Sequence, residues 1–272
     1  MLVASNVSVR IGARKLLDEV SLEVRPGQTV AIVGENGAGK STLLKVLAGD
    51  RLPSRAHVGG GVSVSGRALS AWSLAERARL RAVLPQRPEL AFAFTAREVA
   101  AFGRYPVSTR WRDPRDREIV DAALGLADAL HLADREVTTL SGGEQARVHL
   151  AAAFAQLWEP DYPHPRYLLL DEPTAALDLA HQHALLATAR AFAASRNLGV
   201  LAILHDLNLA ATYADRVVVL HRGRVLAQGS PIDVLQPPII AEGFGVAAQV
   251  LPHPLTRGVL IATAAARPGS TA

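Results

Sequence analysis

An eight-residue run, Gly34-Glu35-Asn36-Gly37-Ala38-Gly39-Lys40-Ser41, stands between an apolar stretch, Thr29 to Val33, and an amphipathic one with Leu43, Leu44, Val46 and Leu47 on one face. The glycines permit backbone conformations and close approaches that a Cβ would hinder, so successive N–H groups can surround phosphate oxygens. Lys40 adds a point charge and the Ser41 hydroxyl a ligand for Mg²⁺. A helix opening at the same place adds its positive dipole end. The pattern reads as strand, loop and helix, with Gly49 placed to stop the helix. Glu35, Asn36, Ala38 and Thr42 belong to the same nucleotide-binding stretch.

Two later segments carry further chemistry. Leu168-Leu169-Leu170 ends in Asp171-Glu172. A carboxylate at the end of a buried strand needs a cation beside it, and Mg²⁺, directly or through water, suits Asp171. Glu172 projects differently and is placed to accept a proton from an attacking water or to orient it. Leu140-Ser141-Gly142-Gly143-Glu144-Gln145, taken alone, is an anion-friendly helix N-terminus.

The 272 residues suffice for one substantial core, or a core with a small satellite. Hydrophobic residues make up 49%, too many for a disordered chain. No stretch reaches the roughly 18–20 apolar residues that cross a bilayer, and the first eight residues read as a strand rather than a signal peptide. Without cysteine there is no disulfide frame or thiol chemistry. A cytoplasmic protein is expected. The net charge of +4 is scattered. Its densest group, Arg97, Arg104, Arg110, Arg112, Arg115 and Arg117, is interleaved with Asp113, Asp116 and Glu118, as on a solvated or membrane-partner surface. Charge therefore does not support a nucleic-acid partner.

Along the chain, residues 2–10 and 16–24 alternate like half-buried strands, and Gly59-Gly60-Gly61 marks a turn before a strand from Val62 to Ser65. Leu74 to Leu80 is helical, and Val83-Leu84 is a strand stopped by Pro85-Gln86. From Arg87 to Trp158 the pattern is mostly helical, with breaks at Pro88, Pro106, Pro114 and Gly125. Three prolines between Glu159 and Pro165 forbid a helix. Tyr167 to Leu170, Leu198 to Leu204 and Arg216 to Leu220 resume the strands, an alternation that implies a mostly parallel sheet flanked by helices. After about residue 237 a strand or loop extension is expected, with Ala264 to Ala272 frayed. His181 and His183, two apart, fall on different helix faces and do not form a metal site.

The phosphate loop, the Ser-Gly-Gly run and the acidic strand, in that order, resemble the ATP-binding cassette (ABC) family over about residues 3–235. The resemblance implies an α/β fold: a phosphate-loop ATPase core with a mixed, mostly parallel sheet, a small antiparallel β part and an inserted α-helical subdomain. It divides the chain into a nucleotide-binding core (1–86 and 159–236), a helical subdomain with the signature (87–158) and a short C-terminal extension (237–272). It implies ATP and Mg²⁺ as ligands, with Ser41, Gln86 and Asp171 at the metal and Glu172, His205 and Gln86 at the reacting phosphate. Ser141, Gly142 and Gly143 would complete the site of a second copy, packed head to tail, and Asp178 would approach that copy. One departure stands out. Where the family usually places an aromatic on the adenine, this chain has Val9-Arg10-Ile11-Gly12.

Thr95 to Val99 with Gly103 to Pro106, Leu204 to Ala210, and Glu242 to Val246 resemble importers of iron chelates, haem and cobalamin. The longer loop from Trp158 to Arg166 and His253-Pro254-Leu255-Thr256 resemble haemin-import ATPases within that branch. The implied assembly is a homodimer under two membrane permease subunits, at the cytoplasmic face of a bacterial inner membrane and fed by a periplasmic binding protein. A coupling helix of each permease would dock in the groove lined by Phe94 to Pro106. The same motor serving ferric siderophores or cobalamin, or a non-transport ABC ATPase, is the alternative.

Overall fold

The computed structural model describes residues 1–86, 92–108, 113–159 and 162–265. Strands β1 (Leu2–Ile11) and β2 (Arg14–Val24) form an antiparallel pair whose Val7, Val9, Leu17 and Val20 point into the core. Fully buried β3 (Thr29–Val33) delivers the chain to the phosphate loop and α1 (Lys40–Ala48). Gly49 ends that helix at φ 68°, its N–H on the Lys45 and Val46 carbonyls.

The expected glycine turn is not a turn. Gly59 to Gly61 lie inside β4 (Ala56–Val64), which pairs with the free edge of β1. The reason is a bulge: the β1–β4 register shifts between Ser5 and Ser8, and Gly60 sits there at φ 74°. A Cβ on Gly60 would lie 2.3 Å from the Asn6 carbonyl oxygen. Glycine therefore lets β4 run past the bulge. Short β5 (Arg67–Ala68) completes the order β2-β1-β4-β5.

After α2 (Leu74–Leu80) and β6 (Arg81–Leu84) the chain turns helical, with α3 (Ala96–Phe102), α4 (Pro114–Leu126) and α5 (Gly142–Gln156). Pro114 does not break a helix but opens one: its missing N–H is harmless at the first position, and Asp113 caps the Arg115 N–H at 3.0 Å. Gly125 is absorbed in the last turn of α4. Pro88, Arg110, Arg112 and part of the Trp158–Arg166 loop lie outside the described residues, as does most of the stretch expected to fray.

The remaining strands and helices are β7 (Tyr167–Asp171), α6 (Leu179–Ser195), β8 (Gly199–Ile203), α7 (Leu207–Tyr213), β9 (Arg216–His221), β10 (Arg224–Gly229) and α8 (Pro231–Val234). The main sheet has the order β10-β9-β3-β8-β7-β6, parallel except for edge strand β10. Two-residue alternation along its strands sorts the core into two layers. Leu169, Leu201, Ile203 and Val218 join α1 and the antiparallel sheet. Leu168, Leu170, Val200 and Val217 join α5 and α6.

Beyond residue 236 the chain holds more than an extension: α9 (Pro237–Phe244) is followed by a hairpin of β11 (Val246–Pro252) and β12 (Val259–Ala265). A helix stands here in place of the expected strand or loop because Pro237 and Pro238 both sit in its first turn, where their missing N–H groups cost nothing.

Candidate functional site

Sheet order sets the site. Neighbours β3, β8, β7 and β6 are parallel, so their carboxyl ends lie along one edge. From that edge emerge, in order, the phosphate loop, His205, the pair Asp171-Glu172, and Gln86. Residues more than 160 positions apart become neighbours because their strands do.

The loop takes its shape from close packing. Gly34 (φ 153°) and Gly39 (φ 102°) face backbone: a Cβ would fall 2.1 Å from the Leu220 oxygen at the first and 2.7 Å from the Leu16 oxygen at the second. At Gly37 a Cβ would meet open space, and only the φ of 81° requires glycine. Ala38 is buried, with its carbonyl accepting from the Gly223 N–H at 3.0 Å; Glu35 and Asn36 are exposed, and Thr42 is half-buried. Lys40 is 5% exposed and donates to the Gly34 and Glu35 carbonyls at 2.7 and 2.9 Å. Burial pushes its ammonium below the ordinary lysine value, opposed by the charges of Glu172 and Asp171. Next to it the Ser41 hydroxyl donates to Asp171 Oδ1 at 3.1 Å. Asp171 is 6% exposed, and burial raises its carboxyl against that hydrogen bond.

Glu172 adopts φ 52°, in the left-handed region that a residue with a side chain rarely visits. Backbone strain of this kind is tolerated where a side chain must be aimed. Here the carboxylate reaches two neighbours: His205 Nε2 lies 2.8 Å from Oε1, and the Gln86 amide donates to Oε2. Gln86, Glu172 and His205 thus form one cluster, with Ser41 and Asp171 as a second pair alongside.

The Ser141 run is at the N-terminus of α5. Its hydroxyl accepts from the Glu144 N–H at 3.3 Å, and the Ser141 N–H donates to Glu144 Oε2 at 2.7 Å, a reciprocal cap. Those bonds hold the Glu144 carboxyl below its usual range. Gly142 and Gly143 pack on the segment after Glu172, where added Cβ atoms would lie 3.2 Å from Ala176 Cβ and 2.9 Å from Leu177 Cδ2. Gly142, Gln86, Glu172 and Ala176 line a cleft of about 430 Å³ to which residues 34–42 do not contribute. Asp178 caps α6: it accepts from the His181 N–H at 2.9 Å and pairs with His181 Nδ1 at 2.7 Å, so its carboxyl is held low by that backbone bond first. His183 bonds the Tyr213 hydroxyl at 2.8 Å instead of joining His181. Ile11 closes β1 in register with Arg14 and Ala56.

Three contributors escaped the sequence. Leu220 in β9 and Gly223 in the turn after it wall the phosphate loop through backbone contacts that leave no residue-type signal. Asp206 caps α7 with Oδ1 accepting from the Asn208 and Leu209 N–H groups at 2.6 and 3.1 Å, which anchors the turn carrying His205.

A family model described as ABC transporter matches residues 17–175. The chain belongs to the ABC transporter family. Among its relatives, a protein from Gloeobacter violaceus named hemin import ATP-binding protein HmuV is 53% identical over 93% of this chain and 90% of its own length. Its namesake from Pseudomonas entomophila is 48% identical over 97% of this chain and all of its own. Among solved structures, an inward-facing metal-chelate type ABC transporter matches with a TM-score of 0.75 at 25% identity, covering 97% of each chain. A dimeric bacterial ABC transporter cassette matches in fold with a TM-score of 0.73 at 24% identity, over 85% of this chain. Among the described residues of this ABC protein no helix is long and apolar enough to cross a membrane.

Proposed function

We propose that this chain is the ATP-hydrolysing subunit of a bacterial ABC importer that drives haem inward across the inner membrane. The observation that carries the reading is near-complete alignment, at about half identity, with relatives named for hemin import. The likeness to a metal-chelate type transporter keeps ferric siderophores and cobalamin as the second reading.

In this reading the loop amides and Lys40 bind the β- and γ-phosphates, and ATP displaces the Gly34 and Glu35 carbonyls from the lysine. Half-buried Ser41 and buried Asp171, with Gln86 as the third ligand of this reading, offer only oxygen donors and a single carboxylate, a set suited to Mg²⁺. Bound there, Mg²⁺ supplies neutralisation of charge on the phosphate oxygens. Glu172 accepts the proton of the attacking water, and His205 donates to the γ-phosphate; their 2.8 Å contact is the resting form of that pair. Two copies pack head to tail, each offering Ser141, Gly142 and Gly143 to the other's nucleotide and approaching it through Asp178. Loss of the γ-phosphate then favours the open dimer.

The division into a core of 1–86 with 159–236, a helical subdomain of 87–158 and a C-terminal part of 237–272 belongs to the same proposal. So do two permease subunits, a periplasmic binding protein upstream, and a peripheral place on the cytoplasmic face. An aromatic ladder supports the docking groove: Phe94–Phe102 and Phe102–Tyr105 ring centroids are 5.0 and 5.8 Å apart, and Tyr105 is 63% exposed.

The test is growth of a strain carrying Glu172→Gln with haem as sole iron source, beside ferric-chelate and cobalamin controls. Selective failure on haem is expected. Failure only on another substrate moves the motor to a sister importer, and growth on every source overturns the transport reading.

A further inference from the structure

Asn208 and the C-terminal unit of residues 237–265 have no part in the chemistry above, yet they are locked together. The Asn208 side-chain amide donates to the Ile261 carbonyl at 3.2 Å and accepts from the Ile261 N–H at 2.8 Å. One amide thereby serves both backbone groups of a residue in β12, as a neighbouring strand would. Val259 and Ile261 carry the hairpin into the same buried cluster as Leu209 and Ala210 of α7.

The opposite end of the unit reaches the phosphate loop. Gly245, the left-handed residue that ends α9, is placed so that a Cβ would lie 3.9 Å from Glu35 Oε1. Gly243 packs α9 on β9 and β10, where a Cβ would come 3.1 Å from Val219 Cγ1 and 3.3 Å from Leu226 Cδ2. A single C-terminal unit therefore clamps α7 on one side of the edge where the γ-phosphate sits in the proposed site and comes near Glu35 on the other.

His205 is an exposed member of the Gln86–Glu172–His205 cluster. Its side chain is 45% exposed, and it sits two residues beyond β8 on the approach to the seven-residue α7. An exposed ring on a short turn keeps one orientation only if its backbone is held, because ordering it costs conformational entropy. Asp206 holds the start of α7 from within. Asn208 holds it from the hairpin.

We propose that Asn208 is a positioning residue for hydrolysis: clamped by Ile261, it fixes the first turn of α7 and so keeps His205 aimed at Glu172. The inference rests on the assignment of His205 to the reaction. It makes the C-terminal hairpin a brace on the catalytic edge, and whatever lifts the hairpin releases the histidine.

The experiment compares wild type, Asn208→Ala and His205→Ala in the assembled transporter, with the ¹⁵N signal of His205 Nε2 read on the labelled chain. Asn208→Ala is expected to lower kcat about five-fold, with KM for ATP within about two-fold of wild type. The nitrogen signal is expected to move toward that of a free imidazole. Asn208→Gln keeps both donor and acceptor on a longer stem, so it falls between wild type and Asn208→Ala, a grading that serves even if the alanine variant is too unstable to assay. An unchanged kcat and nitrogen signal in Asn208→Ala, with or without a lower melting temperature, overturns the inference while an inactive His205→Ala leaves the site assignment standing. Wild-type hydrolysis by His205→Ala would overturn both.

Discussion

The phosphate loop and the Ser-Gly-Gly turn both set glycines at a helix N-terminus, and they solve the problem of that terminus in opposite ways. At α1 the capping residue is Gly39, in the left-handed region, with no side-chain hydrogen bond to the first turn. Its free N–H groups, and a buried lysine resting on two carbonyls, are left for a ligand to satisfy. At α5 the capping residue is Ser141, and a complete reciprocal bond with Glu144 settles the end from within. The phosphate loop is incomplete without an anion, whereas the signature turn is already stable and presents an exposed serine and glycine. A self-satisfied helix end suits the proposed role of a surface that meets its nucleotide only when a second copy arrives.

The sharpest way to break the comparison is Gly34→Ala. The new Cβ would overlap a backbone carbonyl that cannot rotate away, so a loss of about 3 kcal/mol or more is expected in denaturant unfolding, together with loss of ATP binding. Gly37→Ala serves as its internal control: with open space around it, only the positive φ opposes the change, at about 1 kcal/mol. Equal losses at the two positions would mean that backbone conformation, not packing, shapes the loop.

Ser141→Ala probes the other end. Removing the cap is expected to cost about 1 kcal/mol of stability. ATP affinity of the single chain should stay at the wild-type value, while hydrolysis by the assembled dimer falls about ten-fold or more. A parallel fall in single-chain affinity would place the serine in its own chain's site and end the contrast.

The smallest effect concerns acid. His149, inside α5, has its imidazole pushed down to about 4 by burial, and its Nε2 has no hydrogen-bond partner among the described residues. Between about 6.5 and about 4 the unfolded chain binds a proton that the folded chain refuses. Stability therefore declines as pH falls through that window, with the full penalty below it. His149→Leu should flatten the melting temperature across this range. An unchanged slope would assign acid sensitivity to other groups.

The legible parts of the molecule were those whose chemistry is local. Strand, loop and helix around Lys40, the acids ending β7, and the capped run at Ser141 each announce themselves within a dozen residues, because backbone conformation, charge and capping act over that range. Gly60 was misread for the complementary reason. Three glycines in a row look like a turn, and only the bulge at Asn6, fifty-four positions away, makes one of them part of a strand. Pro114 looks like an interruption in the sequence, yet its place at a helix start exploits its missing N–H.

By itself the sequence determined which groups can bind phosphate, which carboxylates end a strand, and to which family the chain belongs, since each depends on residue types at short, fixed spacing. The tertiary structure alone decided that Glu172 touches both Gln86 and His205, that Leu220 and Gly223 wall the loop, and that the hairpin clamps Asn208. Those contacts arise from the order of parallel strands and from the docking of a distant segment, and neither leaves a periodic trace in the residues that make them.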